Sequence, residues 1–158
     1  MHPTAITLQL KSQKEFFDRS TRPLTEEDSN FKAYPDGFTV AQQVAHTAMT
    51  IDWFFEGAFR PECFDLNFEE AGKQLLAVNS LAEARKMLEE SFAKALKLAS
   101  TKSEEEWSAK LPPNFILGEV PRYVVIPSLI DHTAHHRGAL TVYSRLLGKV
   151  PPMPYGDM

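Results

Sequence analysis

Apolar residues recur at intervals of three and four along most of this chain, the period of helices that bury one stripe. Strand-like alternation is confined to ITLQL near the start and YVVI at Tyr123, each too short to found a sheet. The pattern predicts an all-α protein. A first helix is expected from about Thr4 to Arg19, with Ile6, Leu10, Phe16 and Phe17 facing inward. The segment TRPLTEEDSNFKAYPDG then breaks the period, with room for one short helix.

At Thr39 a hydroxyl residue is followed three positions later by Gln42, the spacing of a capping box, and this starts a second helix. It ends near Phe59, because Pro61 pushes Arg60 out of helical dihedrals. Val44, Ala45, Ala48, Ile51, Phe54 and Phe55 give it a broad apolar surface. A long connection follows, shortened by the helical stretch NFEEAGKQLLAV. Ser80 and Glu83 repeat the capping-box spacing and open a third helix to about Ser100, inward at Leu81, Ala84, Leu88, Phe92, Ala95 and Ala99. A fourth helix starts between Pro121 and Ser128 and runs through Leu147, with Gly148 as its stop. Pro127 requires either a kink or a late start. The tail KVPPMPYGDM is expected along the surface. Together these elements make a four-helix bundle with a long connection between helices 2 and 3, as a single domain over residues 1–158.

Length and composition narrow the function. With 158 residues the chain can bury a self-sufficient core, so a bound metal would be functional rather than a structural staple. No apolar run approaches the roughly 20 residues needed to cross a bilayer. The N-terminus lacks the cationic and apolar segments of an export signal, so a cytoplasmic location is expected. A net charge of -4, with both signs interleaved, offers no basic stripe for nucleic acid. The single Cys63 has no internal disulfide partner and is read as a packing thiol.

The chemistry resides in the histidines. His132 and His136 lie four residues apart, so on a helix their rings are offset by about 40° and one turn of rise, close enough to address one ion. His46, in the middle of the second helix, is the candidate third ligand. Three neutral imidazoles suit zinc, nickel or iron and leave coordination positions for water or substrate. An HxxxH spacing also occurs in histidines that are merely hydrogen-bonded within a core, but the apolar settings of His46 and His132 make an unpaired ring nitrogen costly. His135 is three residues from His132, and periodicity does not choose between it and His136; a role at the pocket edge or as an outer partner is the preferred reading for His135. Gln42, Thr50 and Trp53 share a side with His46, and Tyr143 lies two turns beyond His136 as a possible proton donor. Glu-x-x-His pairs and HEXXH are both absent, which disfavours a di-iron centre and a zincin protease.

The combination of a central histidine in the second helix with DHTAHHRGALTVYSRLLGKVPPMPYG resembles the DinB family over nearly the whole chain. The specific part is HxxxHRG followed by an aliphatic helix and a Gly-Lys-x-Pro-Pro tail. The resemblance implies a four-helix bundle, a divalent metal on His46, His132 and His136, and dimerisation. It favours His136 over His135. The family often carries Gln after HRG, where this chain has Ala139. Arg137 of the motif looks more structural than catalytic: on a helix it points about 100° away from His136, where it could pair with a carboxylate. Relatives in the wider superfamily include thiol-dependent transferases, so a small-molecule substrate and activation of a low-molecular-weight thiol are implied. The expected function is therefore a metal-dependent enzyme that activates water or a thiol for hydrolysis or transfer. The alternative is a non-catalytic, metal-binding or stress-related helical dimer.

Overall fold

The structure, a computed structural model describing residues 1–156, has six α-helices and no named strand among the described residues. They are α1 (Pro3–Thr21), α2 (Val40–Phe59), α3 (Phe68–Ala77), α4 (Leu81–Thr101), α5 (Glu104–Ser108) and α6 (Val125–Leu146), with 3-10 turns at Glu26–Asp28 and Arg122–Val124. The expected first, second, third and fourth helices are α1, α2, α4 and α6. Both α1 and α2 pack against α4 and α6, so the four long helices enclose one core. No helix among the described residues is long and apolar enough to cross a membrane.

The inward stripes are those of the sequence. Ile6, Leu10 and Phe17 of α1 and every predicted apolar position of α2 and α4 are buried. Phe16 differs: it lies at the seam of α1 with the tail, edge-on to Tyr155 at 5.0 Å between centroids. Its ring also faces the Arg137 guanidinium at 5.9 Å, so Arg137 packs on an aromatic ring. Cys63 is buried in the core, which pushes its thiol pKa up.

Helix ends explain how the loops are held. Thr39 and Gln42 close their box with bonds of 3.1 and 3.0 Å. At α4 only the Ser80 half of the box forms, and two further N–H groups are satisfied from a distance: Leu81 donates to Ser29 Oγ and Ala82 to Glu26 Oε2. The Ala82 N–H, with Ser80 next, holds the Glu26 carboxyl below its usual pKa. A complete box, Ser103 with Glu106, starts the short α5, which the helical periodicity did not single out. Its Trp107 is fully buried, edge-on to Phe55 and Phe59.

Pro127 neither kinks α6 nor breaks it. The 3-10 turn takes up Arg122–Val124, α6 starts at Val125, and Pro127 becomes its third residue, where an N–H has no intrahelical acceptor to lose. The helix ends in a Schellman motif. Gly148 has φ +73°, its N–H reaches Arg145 C=O, and the Lys149 N–H reaches Ser144 C=O. Lys149 then pairs with Asp28 and ties the tail to the turn after α1. Burial would raise the Asp28 pKa, but Lys149 and the Thr25 N–H outweigh it. The tail to Gly156 is irregular, as expected, and its last two positions lie outside the described residues.

Between α2 and α4 the chain makes the short helix α3, of which only Leu75 is buried. It is anchored at its start by Phe64, whose ring fills the space beside Gly57 of α2. A Cβ built on Gly57 would lie 2.3 Å from the Phe64 ring. Replacing a mid-helix Gly by Ala ordinarily gains up to about 1 kcal/mol. Here the methyl group overpacks a site where misfit costs about 1–3 kcal/mol. Gly57→Ala should therefore lower Tm, and adding Phe64→Leu should recover part of the loss. A Tm that rises in the single variant would contradict this packing.

Candidate metal centre

His46 projects from α2 toward α6, where it meets His132 and His136. The His132 Nε2 atom lies 3.3 Å from His46 Nε2 and 3.2 Å from His136 Nε2. The three rings meet nearly edge to face, with centroids 4.5 to 5.0 Å apart. Metal–imidazole bonds of about 2.0–2.1 Å at tetrahedral to octahedral angles set neighbouring nitrogens about 2.8–3.4 Å apart, so the observed separations suit a shared cation. A single hydrogen can bridge one such gap, but three clustered ring nitrogens leave lone pairs facing one another unless a cation lies between them.

His136 is buried, and the other two are half-buried. Burial, followed by repulsion among the rings, lowers the pKa of His136 to about 3 and that of His132 to about 4. Burial and then His135 lower that of His46 as well. At neutral pH the rings are held in the uncharged form that ligates metal.

An amide holds His136 in orientation. Gln43 Oε1 lies 2.5 Å from His136 Nδ1. A carboxamide oxygen can only accept, so Nδ1 carries the hydrogen and Nε2 faces the cluster with its lone pair free. Gln43 Nε2 donates to Tyr143 Oη at 3.4 Å, and the Tyr143 hydroxyl donates to Phe38 C=O at 3.0 Å. The relay is buried at Gln43 and part-buried at Phe38, and it joins the entrance of α2 to the middle and end of α6. Gln43 was not picked out from the sequence. It sits three residues before His46, on the same helical face, but its neighbour Gln42 carried the capping-box signal and the His136 contact spans 93 positions.

The other predicted residues separate. Gln42 stays with its cap and donates to Leu76 C=O, away from the cluster. The Tyr143 proton is committed to Phe38, so this residue supports Gln43 and is not poised to protonate a ligand. His135 is exposed, with its ring 5.0 Å from that of His136, and it lines a shallow groove with Ser128, Asp131 and His132. It reaches the edge of the site but brings no nitrogen to the cluster.

Thr50 and Trp53 do line the neighbouring cleft, which has a volume of about 540 Å³ and lies between α2 and α3 with His46 and His132 in its wall. Phe38, Met49, Phe54, Phe68 and Leu75 make it largely apolar. The Trp53 indole N–H is held by Asp65 C=O at 2.7 Å. A larger groove of about 670 Å³ runs along α1 and α4, but it is lined by charged side chains that largely pair with one another and touches none of the three histidines.

The DinB family model matches residues 7–158, a span that includes all three histidines. The chain belongs to the DinB family. No curated protein sequence matches it. Among solved structures, the mycothiol-dependent maleylpyruvate isomerase is similar, with a TM-score of 0.66 and 16% sequence identity, over 89% of this chain. The match covers 61% of that isomerase, so this DinB chain spans less than two thirds of its length, and identity at this level speaks to the fold alone. In this DinB protein the amide that touches the cluster comes from Gln43 of α2, while Ala139 follows the HRG motif.

Two outcomes follow from the cluster. The unfolded chain takes up protons at histidine near the ordinary value of 6.5, whereas folded His132 and His136 resist until about 4 and 3. Their contribution to stability is therefore fully present above 6.5 and is lost as pH falls through that window. The thermal midpoint of metal-free protein should drop more steeply with acid than that of His136→Leu; equal slopes would refute the assignment. Gln43→Leu removes the outer partner and should weaken metal affinity by about 10–100-fold, read by competition with a chromophoric chelator.

Proposed function

We propose that this protein is a metal-dependent enzyme. His46, His132 and His136 hold a divalent ion of zinc, nickel or iron, beside which a low-molecular-weight thiol or water is activated for transfer or hydrolysis. The observation that carries the reading is the convergence of three Nε2 atoms from α2 and α6, with neighbouring separations of 3.2 and 3.3 Å. Held by neutral ligands, such an ion keeps its full charge and lowers the pKa of a thiol or water placed against it.

The chain's own residues contribute position and surroundings. Gln43 keeps the His136 lone pair aimed at the cluster, and Tyr143 and Phe38 keep Gln43 in place. Phe38, Met49 and Phe54 line the neighbouring cleft with apolar surface, which lowers the local dielectric and strengthens charge interactions within it. A thiol is the favoured nucleophile, because the similar fold of known activity is mycothiol-dependent by name and the cleft has room for a thiol carrier.

The whole chain, residues 1–158, is proposed to act as one domain. Val142 and Leu146, exposed one turn apart on α6, support pairing with a second copy. They also give the rival, a non-catalytic metal-binding dimer, its footing.

Elemental analysis of untagged protein should find one divalent ion per chain, reduced to background in His46→Ala and His136→Ala. A panel of thiols with electrophilic partners should reveal turnover that these variants abolish. Metal content unaffected by either substitution would end the proposal, and metal retention without turnover would transfer it to the rival.

A further inference from the structure

The cleft beside the histidines is electrically lopsided. Its lining includes two acidic residues, Asp65 and Glu70, and no lysine or arginine. Two surface carboxylates alone would not mark a site. Here they border an apolar cavity whose walls include Trp53 and Phe68, and an aromatic face beside carboxylates is the chemistry that receives an ammonium group.

The fold sets these groups apart from the histidines. Gln42, near the start of α2, donates to Leu76 at the end of α3, while Trp53, further along α2, meets Asp65 and Phe68 at the start of α3. The two helices therefore run antiparallel along the cleft. His46 lies one turn from Gln42, and Trp53 lies about two turns, or roughly 10 Å, beyond His46. Asp65 precedes α3 and Glu70 lies in its first turn, so both belong to the Trp53 end. Asp65 Oδ1 accepts the Asn67 N–H and Glu70 Oε1 accepts from Gln74, which leaves each carboxylate a second oxygen for a ligand.

We propose that the ligand of this cleft is an amphiphilic amine: its protonated nitrogen rests at the Trp53 end among Phe68, Asp65 and Glu70, and an apolar body of about 10 Å or less carries its other end to His46 and His132. This deepens the enzyme reading and rests on it, since the end near the histidines is the one presented for reaction. It also sets a selection rule. A ligand with a carboxylate at the Trp53 end meets two like charges and no cation.

The test uses metal-free full-length protein and a size-matched pair of probes, 2-phenylethylamine and 3-phenylpropanoate, titrated calorimetrically at neutral pH and low salt. The amine should bind at least about tenfold more tightly than the carboxylate. Asp65→Asn combined with Glu70→Gln, at exposed positions that retain their local acceptors, should bring the two within about twofold, as should a rise to about 0.5 M salt in the wild type. Binding of neither probe, preference for the carboxylate, or an amine preference that survives the double substitution would overturn the proposal. Because the assay contains no metal, these results are independent of the elemental analysis: amine selectivity can fail while the histidines retain their ion, and the reverse.

Discussion

The structure depends on a close approach between α2 and α6 that is held by polar groups inside an apolar core. Gln43 contacts His136 and Tyr143, and Tyr143 contacts the backbone just ahead of α2. A buried amide is costly unless both of its ends are satisfied, and here both are, by His136 and Tyr143 of α6 in the other half of the chain. The same relay assigns the His136 hydrogen to Nδ1. Packing of the two helices and the ligand-ready tautomer are thus one constraint, and a change in the helix separation would disturb both.

Around this seam the molecule divides its labour. The four long helices carry the apolar core, while α3, buried only at Leu75, adds a wall and little to the interior. It is fixed by few contacts: Phe64 beside Gly57, the Trp53 indole on Asp65, and the Gln42 side chain on Leu76. A cleft wall attached in this way can vary in sequence without disturbing the core, a common arrangement where a rigid scaffold presents a variable site. The turn after α1 and the tail are secured differently. Glu26 and Ser29 cap α4, and Lys149 draws the tail onto Asp28, so the irregular segments complete helix ends and charges that would otherwise stand open.

Much of this was legible in the residues. The buried stripes of α2 and α4, the Thr39 cap and the stop at Gly148 follow from local rules, because a helix sets its own period and ends over a few neighbouring positions. The four-residue spacing of His132 and His136 is equally local. Local signals also went unread, as with the Ser103 and Glu106 box of α5, or were ambiguous, as with Pro127, whose position relative to the first turn depended on how much of YVV the preceding 3-10 turn would absorb.

What the sequence by itself determined was therefore the helices, their apolar faces and three candidate imidazoles. Helical spacing left His135 and His136 open, and the fold turns His136 inward; tertiary structure alone decided that Gln43 rather than Gln42 or Tyr143 serves it, and that Arg137 rests on an aromatic ring. It also brought Trp53 of α2 and the acidic residues Asp65 and Glu70 to one end of the cleft. The reason is range: a helix records its period within four residues, whereas these choices depend on where α2 and α6 meet across some ninety intervening positions, and no short stretch of chain carries that distance.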